Sequence, residues 1–347
     1  MPGLPEPRAA DPRQAPSLRW GVLAPGAIAA DCVDALLAHT GQRVVAVGSR
    51  SLERATAFAR PRGIGSAYGS YEALVADEAV DVVYVAAPHT EHASLALLAI
   101  AAGKHVLVEK PLAVTAAEGQ TVADAARAAG VFAMEAMWTR YLPQTDVVRQ
   151  LLADGSLGEV RVVTADFGGA TPFDPGSRSF DPRLAGGALL DLGVYAVSWA
   201  FFALGRPERV YATGELASTG VDQQVALVLS SPSGAQALLS AGLLARTPST
   251  ATISGTRAGV EVQSPFWSPT GLQVRGLPGG DSLEWQDRSG LVGREGMVHE
   301  AAAVARYVAA GRTDSPLHPL SEAVATLAVL DEARRQVGYT RIGAAAV

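Results

Sequence analysis

Lys110, in the string His105-Val-Leu-Val-Glu-Lys-Pro111, is the first residue whose type and setting suit chemistry. The chain has 28 lysines and arginines together, and only Lys104 and Lys110 among them are lysines. An ammonium is compact and its pKa can be tuned, whereas a guanidinium is a planar fork that keeps its proton. We therefore predict that Lys110 takes part in catalysis; the alternative is that it simply ends a strand.

Asp191 and Tyr195 form a second candidate pair, in the apolar segment 184–205, where Asp191 is the single charge. A spacing of four puts both on one face of a helix, so that one can orient the other or a substrate hydroxyl. A phenol can give or take a proton, but its ordinary pKa of about 10 is too high for base catalysis near neutrality. An ammonium such as that of Lys110 would favour tyrosinate, and lowering the pKa by ~2 corresponds to roughly 3 kcal/mol.

Such a proton relay suits the oxidation of a carbinol, or the reduction of its carbonyl, by a nicotinamide cofactor that exchanges the hydride. Three alternatives stay open. Tyr195 could be a core phenol bonded to the backbone. Lys110 could form a Schiff base with a carbonyl substrate. The chain could also bind the cofactor without turnover, as a sensor or structural protein.

The elements that must position these residues alternate between short apolar runs and helix-period segments, which predicts a doubly wound parallel sheet. Ligands bind such a sheet at the carboxyl ends of its strands. The predicted strands are 18–24, 43–49, 80–86, 104–109 and 131–137, and the predicted helices are 27–38, 52–60, 91–102 and 116–129.

The turn after the first strand, Ala24-Pro25-Gly26-Ala27-Ile28-Ala29, occupies the place of a dinucleotide fingerprint. Ala24 replaces the first glycine, while Gly26 and Ala29 keep the positions for close pyrophosphate approach and close helix packing. The helix that follows can hold phosphate at its N-terminus. We predict cofactor contacts at Ala24, Gly26, Ala27 and Ile28; the alternative is an ordinary strand-to-helix loop.

The second strand ends in Gly48-Ser49-Arg50-Ser51. A site that prefers NAD usually places Asp or Glu here, on the ribose 2′-hydroxyl. A cation with flanking hydroxyls, Arg50 and Ser49, suits a 2′-phosphate instead. NADP(H) is therefore favoured and NAD(H) remains possible, unless Arg50 is only a solvated helix-start residue.

Further candidates follow the later strands. Glu109 is expected to face the cofactor or to pair locally. His89 and His92 are expected to contact the nicotinamide end or to cap the next helix. Trp138, Arg140 and Tyr141 are expected to wall a pocket for a ring-shaped, hydroxyl-bearing substrate or to pack between domains. The predicted cofactor contacts in this part of the chain are Ala87, Pro88, His89, His92, Glu109 and Lys110.

Composition excludes several classes. A formal charge of −6 without basic runs gives no footprint for nucleic acid. Cys32 is the only cysteine, which excludes an intramolecular disulfide and favours a reducing, cytoplasmic location. No His, Cys and Asp spacing predicts a metal site. Although segment 184–205 is long enough to cross a bilayer, we expect a buried helix and no membrane association.

The second half changes character at about residue 142. We expect a disordered tail over 1–17, a dinucleotide-binding domain over 18–141 and an α+β domain over 142–347. Strand-like runs separated by Ser, Gly and Pro turns between 209 and 287 predict an open, largely antiparallel sheet. The irregular stretch 168–184 is expected to be a substrate loop. Helices near 294–310 and 320–337 are expected to pack back on the first domain.

Four segments carry a resemblance to the glucose-fructose oxidoreductase/inositol dehydrogenase (Gfo/Idh/MocA) family, over about residues 18–338. They are the turn Ala24–Ala29, Ala87–His92, Val108–Leu112 and Gly186–Tyr195. Residues 134–143 and Tyr195 resemble the dimeric dihydrodiol dehydrogenase and 1,5-anhydro-fructose reductase branch. Ala24 and Ala185 depart from the family pattern, without removing a catalytic group.

The resemblance implies an N-terminal Rossmann domain and an open sheet whose face forms a dimer interface. It also implies an oxidoreductase acting on a secondary alcohol or ketone of a sugar, anhydrosugar or cyclic diol. We expect Tyr195 to be the general acid and base, with Lys110 and Asp191 assisting, NADP(H) as cofactor, a small polyhydroxylated substrate and a homodimer.

Overall fold

The computed structural model describes residues 3–276 and 282–339. These residues form two compact units. The N-terminal unit comprises residues 9–141 and 291–324. The C-terminal unit comprises residues 3–8, 142–276, 282–290 and 325–339.

The N-terminal unit contains a six-stranded parallel sheet in the order β3-β2-β1-β4-β5-β6, which confirms the doubly wound fold. Its strands are β1 Arg19–Leu23, β2 Arg43–Gly48, β3 Ser66–Tyr68, β4 Val82–Val85, β5 His105–Glu109 and β6 Ala133–Ala136. Its crossover helices are α1 Ala27–His39, α2 Leu52–Ala59, α3 Tyr71–Val75, α4 His92–Ala101 and α5 Ala116–Ala129. Neither β3 nor α3 is predicted from the sequence, since both are too short to show a period.

Local chemistry explains where these elements begin and end. Every residue of β4 is buried, as expected for a central strand with helices on both sheet faces. The helix α5 begins with a capping box between Thr115 and Glu118, and Gly130 ends it in the left-handed conformation. Because β4, β5 and β6 run parallel, the loops that follow them lie at one edge of the sheet.

The C-terminal unit contains an eight-stranded sheet in the order β14-β13-β12-β11-β7-β10-β9-β8. Strands β7 and β10 pair in parallel, and all other neighbouring strands of this sheet pair antiparallel. This confirms the predicted open, largely antiparallel sheet. The strands are β7 Val160–Gly168, β8 Arg209–Leu216, β9 Asp222–Ser230, β10 Gln236–Gly242, β11 Ala251–Gly255, β12 Ala258–Val262, β13 Gly271–Gly276 and β14 Ser282–Gln286. The helices before and beneath the sheet are α6 Pro143–Ala153 and α7 Val194–Leu204.

One face of this sheet is buried, because side chains alternate along its strands. In β10, Leu239 is buried against the helical side and Leu238 on the other face is 46% exposed. The segment Pro182–Leu204 is apolar and long enough to cross a membrane by length and composition alone. Most of it is buried inside the C-terminal unit, where α7 packs on β7, β10 and β11.

The last helices are α8 Val298–Ala309 and α9 Leu320–Gln336. Residues 291–324, which include α8, cluster with the N-terminal unit, and residues 325–339 cluster with the C-terminal unit.

The residues expected to form a disordered tail make specific contacts from Glu6 onward, where the backbone carbonyl oxygen accepts the side-chain amide of Gln150. Arg8 donates its backbone N–H and its guanidinium to Asp146, at 2.7 and 3.0 Å. Ala15 packs against Ala302 and Ala305. The expectation is therefore corrected, because a composition of Pro, Arg and Asp does not reveal partners that lie far away in the sequence.

Candidate active site

The turn between β1 and α1 is built to receive a negatively charged group. Ala24 adopts the left-handed conformation, with φ +62°, where the family pattern has glycine. Gly26 precedes α1 and has no side-chain cap, so the N–H groups of the first helical turn are left for an anion. A Cβ added at Gly26 would meet only the Ala24 carbonyl oxygen within 4 Å, so the approach to this turn is open. Ala27 and Ile28 open the helix, as predicted.

The end of β2 presents the residues predicted to select the cofactor. Ser49 is buried, and its Oγ accepts the N–H of Ser51 at 3.3 Å. Ser51 in turn caps α2. Arg50 lies between them and is exposed. The donors fit a phosphate on a dinucleotide: first-turn N–H groups on one side and a guanidinium on the next strand end.

His92 joins the loops that follow β4 and β5. Its Nδ1 faces the Pro111 carbonyl oxygen at 2.7 Å, and its Nε2 faces the Ala87 carbonyl oxygen at 2.8 Å. Burial lowers the pKa of His92, although the two carbonyl groups oppose this. Both ring nitrogens of His92 therefore face carbonyl groups of the two loops, and its predicted contact with the cofactor stays a prediction. His89 is also buried and packs edge-on against the His92 ring.

Glu109 lies behind Lys110. Its carboxyl group accepts the hydroxyl of Tyr84 and, at 3.2 Å, the backbone N–H of Lys110. Burial raises the pKa of Glu109, while Tyr84 and the Lys110 ammonium act against this. Of the two roles considered, these bonds show local pairing, and the predicted cofactor contact of Glu109 stays a prediction. Lys110 itself is half-buried at the end of β5.

A buried chain of charges holds the loop after Lys110. Glu135 accepts the Leu112 N–H at 2.7 Å, and its other oxygen lies 2.7 Å from His318 Nε2. His318 Nδ1 lies 3.3 Å from Glu322, which also pairs with Arg140. We call these four side chains, Glu135, His318, Glu322 and Arg140, the relay network.

The relay network explains two pKa shifts. Burial alone would lower the pKa of His318, but the Glu135 and Glu322 carboxylates raise it above its ordinary value. Burial would raise the pKa of Glu322, but His318 and Arg140 lower it to about 2. Both side chains therefore hold opposite charges at pH 6.

Arg140 and Tyr141 are held by contacts within the N-terminal unit. Arg140 pairs with Glu322 and donates to the Leu317 carbonyl oxygen at 3.1 Å. The Tyr141 hydroxyl lies 2.7 Å from the Ser315 Oγ, and burial raises its pKa well above the usual value. Both side chains make these contacts within the N-terminal unit, and their role at a substrate pocket stays a prediction. Trp138, in the same short helical turn, is also buried.

The second candidate region lies in the C-terminal unit. Leu189–Gly193 forms a π-helical turn that leads into α7, and such turns are frequent at functional sites. Asp191 in that turn pairs with Arg178 at 3.1 Å. The structure brings Asp191 and Tyr195 onto one helical segment, as their spacing predicts.

An aromatic wall stands beside Tyr195, which is 8% exposed. The Tyr195 ring lies 5.5 Å from that of Phe167, measured between centroids. Phe167 stacks on Trp267, with centroids 5.3 Å apart and an interplanar angle of 10°. We call Phe167, Trp267 and Tyr195 the aromatic wall. It combines the apolar rings of Phe167 and Trp267 with the phenol of Tyr195.

Sequence reasoning missed Glu135, His318, Arg178, Phe167 and Trp267. Glu135 could have been noticed as a lone charge in the apolar strand 131–137. The others carry no local signal, because their partners lie far along the chain. Among residues 3–276 and 282–339, no group of three or more His, Cys, Asp or Glu side chains could hold a metal ion.

The parallel sheet and the open turn at the start of α1 are typical of a dinucleotide-binding domain. The profile of an oxidoreductase family with an NAD-binding Rossmann fold, GFO/IDH/MocA, matches residues 18–137. The profile of the GFO/IDH/MocA C-terminal domain matches residues 145–261.

Three similar proteins extend this result. The trans-1,2-dihydrobenzene-1,2-diol dehydrogenase of Sus scrofa is 39% identical over 334 residues, covering 93% of this chain and 98% of the relative. An NAD binding oxidoreductase from Klebsiella pneumoniae is 25% identical with a TM-score of 0.84, covering 93% and 97% of the two chains. A 3-ketoreductase from Actinomadura kijaniata, solved with TDP-benzene and NADP, is 26% identical with a TM-score of 0.78, covering 92% and 98%.

The chain belongs to the Gfo/Idh/MocA oxidoreductase family. It is an NAD(P)-dependent oxidoreductase of the class that acts on CH–OH groups.

Proposed function

We propose that the protein transfers hydride between NADP(H) and a secondary alcohol or ketone of a sugar, anhydrosugar or cyclic diol. The observation that carries the proposal is Tyr195, a phenol set beside the Phe167 ring, which stacks on Trp267, and one turn after the ion-paired Asp191. The relative from Sus scrofa is named for a cyclic diol, which agrees with this substrate class.

In the proposed reaction, Tyr195 accepts the carbinol proton at its phenolic oxygen and returns it in the reverse direction. Lys110 supplies the ammonium that favours tyrosinate and donates a hydrogen bond to the substrate oxygen. Asp191, held by Arg178, orients the phenol or a neighbouring substrate hydroxyl. The nicotinamide, when bound, supplies the hydride acceptor or donor.

The aromatic wall supports a ring-shaped substrate. The ring faces of Phe167 and Trp267 pack well against the C–H face of a cyclic diol or a sugar, while the polar edge is left for Tyr195 and Asp191. Trp138 is a further proposed contact on the substrate side.

The cofactor proposal rests on the first-turn N–H groups of α1 and on Arg50 and Ser49. An exposed guanidinium where an NAD site would carry an acid favours a 2′-phosphate, so NADP(H) is preferred over NAD(H). The 3-ketoreductase from Actinomadura kijaniata was solved with NADP, which is compatible with this preference.

We also propose a homodimer through the open face of the eight-stranded sheet, in the cytoplasm. Leu238 and Val162 on neighbouring strands are 46% and 37% exposed on this face, with Thr164 and Ala226 beside them. A second copy would cover these apolar side chains.

The test combines cofactor titration with a substrate screen. NADPH and NADH are titrated by fluorescence, and the tighter cofactor is then used with a panel of cyclic diols, anhydrosugars and sugars. We expect tighter NADPH binding, turnover on the panel, and a fall in kcat of about 10²–10⁴-fold in Tyr195→Phe with unchanged cofactor affinity. Binding without turnover across the panel would favour a sensor, and full activity of Tyr195→Phe would reject the mechanism.

A further inference from the structure

Asp222, the first residue of β9, is a buried acid that no step above uses. It is 1% exposed, and it lies beneath the start of the helical segment that carries Asp191 and Tyr195. Its Oδ2 accepts the backbone N–H of Leu189 at 2.6 Å. Its Oδ1 has no hydrogen-bond partner among the described residues. A buried carboxyl with one vacant oxygen is costly, so its retention calls for a physical reason.

The backbone around Asp222 is shaped to let the carboxyl group reach the helix. Gly187 has φ +118°, and a Cβ added there would lie 2.3 Å from Asp222 Oδ1. Gly186 is as tightly placed, since a Cβ there would lie 2.7 Å from the carbonyl oxygens of Arg178 and Ser179. The two glycines thus permit a close approach that side chains at these positions would block.

We propose that Asp222 is a positioning residue for the reaction: its carboxylate fixes the first turn of the segment 189–195 and so sets where Asp191 and Tyr195 stand. The physical basis is that a negative charge at a helix N-terminus interacts favourably with the N–H groups and the helix dipole. This inference rests on the proposed function, because it acts through Tyr195.

The surroundings of Asp222 also make the anchor pH-dependent. Burial raises its pKa from 3.8 to about 7, although the N–H groups of Leu189, Ala188 and Asp222 itself act against this. Arg334 of α9 is the charged side chain whose field also favours ionisation, and it is paired with Asp331. The charge-assisted bond to Leu189 therefore strengthens as pH rises through about 7.

The sign of the stability effect is opposite to that of the positioning effect. Because the folded pKa of Asp222 lies above its unfolded value, its stabilising contribution is complete below about 4 and is lost as pH rises through about 7. A residue with a merely structural role would move activity and stability in the same direction. Asp222 should raise kcat over the pH range in which it lowers the free energy of unfolding.

The variant test compares Asp222→Asn with Asp146→Asn. Asp146 is a matched control, since it is a largely buried carboxylate in the first turn of α6 in the same unit. For Asp222→Asn we expect unchanged NADPH affinity, a fall in kcat of about 10- to 100-fold above pH 7, and loss of the acid limb near pH 7. Asp146→Asn should keep the wild-type pH profile of kcat.

A wild-type measurement removes dependence on the variant's folding. Hydrogen exchange of the Leu189 amide, corrected for intrinsic exchange, should become more protected between pH 6 and pH 8 in the full chain, by about tenfold. Unchanged protection, or an Asp222→Asn enzyme with wild-type kcat and pH profile, would overturn the positioning role alone. Full activity of Tyr195→Phe would instead remove the proposed function beneath it.

Discussion

Two buried carboxyl groups hold the backbone beside the candidate catalytic residues, and they differ in their hydrogen-bond partners. Glu135 accepts the N–H of Leu112, two residues after Lys110, and its other oxygen faces His318. Asp222 accepts the N–H of Leu189, two residues before Asp191, and its other oxygen has no partner among the described residues.

The difference shows that a buried acid can be supported by charged side chains or mainly by backbone donors. Glu135 is part of the relay network, where it faces His318 and where the Glu135 and Glu322 carboxylates raise the pKa of His318. Asp222 has backbone donors and a distant guanidinium, so burial brings its pKa to about 7. The support beside Lys110 is therefore built from paired side chains, whereas the support beside Asp191 rests on backbone N–H groups.

The largest expected effect concerns Lys110, two residues before the Leu112 N–H that Glu135 accepts. Lys110→Met should lower kcat by about 10²–10⁴-fold, because the ammonium that favours tyrosinate is lost. The other lysine is a matched control: Lys104 donates to the carbonyl oxygens of Asp77 and Val80, at 2.8 Å each. Steady-state kinetics should show kcat of Lys104→Met within about twofold of wild type. A fully active Lys110→Met enzyme would remove the distinction between the two lysines.

The next effect breaks the support beside Lys110. His318→Ala should lower the free energy of unfolding by about 3–5 kcal/mol, because it removes the partner of the buried Glu135 carboxyl group. Denaturant unfolding at pH 6 and pH 9 measures it. His39→Ala is the control, since His39 pairs with Glu295 at 3.4 Å near the surface and should cost only about 0–1 kcal/mol.

The pH dependence of that cost has a defined sign. The folded pKa of His318 is raised, so its contribution is complete below about 6.5 and is lost as pH rises through the raised pKa. The cost of His318→Ala should therefore be smaller at pH 9 than at pH 6. An equal cost of His318→Ala at pH 6 and pH 9 would contradict the inference that His318 is charged at pH 6.

The smallest effect tests Glu300, an acid with fewer hydrogen-bond partners than Asp222 among the described residues. Glu300 on α8 is buried, and neither carboxyl oxygen has a partner among the described residues. Burial, together with Glu109 and Glu135, raises its pKa well above the usual value. Glu300→Gln replaces a neutral acid by a neutral amide, so the free energy of unfolding at pH 6 should change by less than about 1 kcal/mol.

At high pH the same variant should be the more stable protein. A carboxyl with a raised folded pKa loses its stabilising contribution as pH rises through that value, and glutamine does not titrate. Urea unfolding at pH 9 should therefore show Glu300→Gln above wild type. A large loss at pH 6 would mean that Glu300 is ionised and bonded.

The fold could be predicted from sequence where local pattern is strong. The all-apolar β4, the alternating helices and the segment holding Asp191 and Tyr195 are examples, since period and spacing are local properties. The element pair β3 and α3 escaped because three and five residues carry no period. The contacts of the N-terminal tail escaped for a different reason, namely that Arg8 meets Asp146 across 138 residues.

The site was predictable only in part. Arg140 and Tyr141 follow a strand end, as a pocket wall would, yet their partners Glu322 and Ser315 lie more than 170 residues away. His92 likewise sits in a promising loop, but the carbonyl oxygens that occupy its ring depend on how two loops meet. Asp222 has no motif around it, because its role depends on an approach made possible by glycines in another segment.

The most direct test of the central claim is the single-turnover rate of hydride transfer in Tyr195→Phe with NADPH or NADP⁺ already bound. The account predicts a rate at least about 100-fold below wild type, with cofactor affinity and secondary structure unchanged. A rate equal to that of wild type would contradict the assignment of Tyr195 as the proton donor and acceptor.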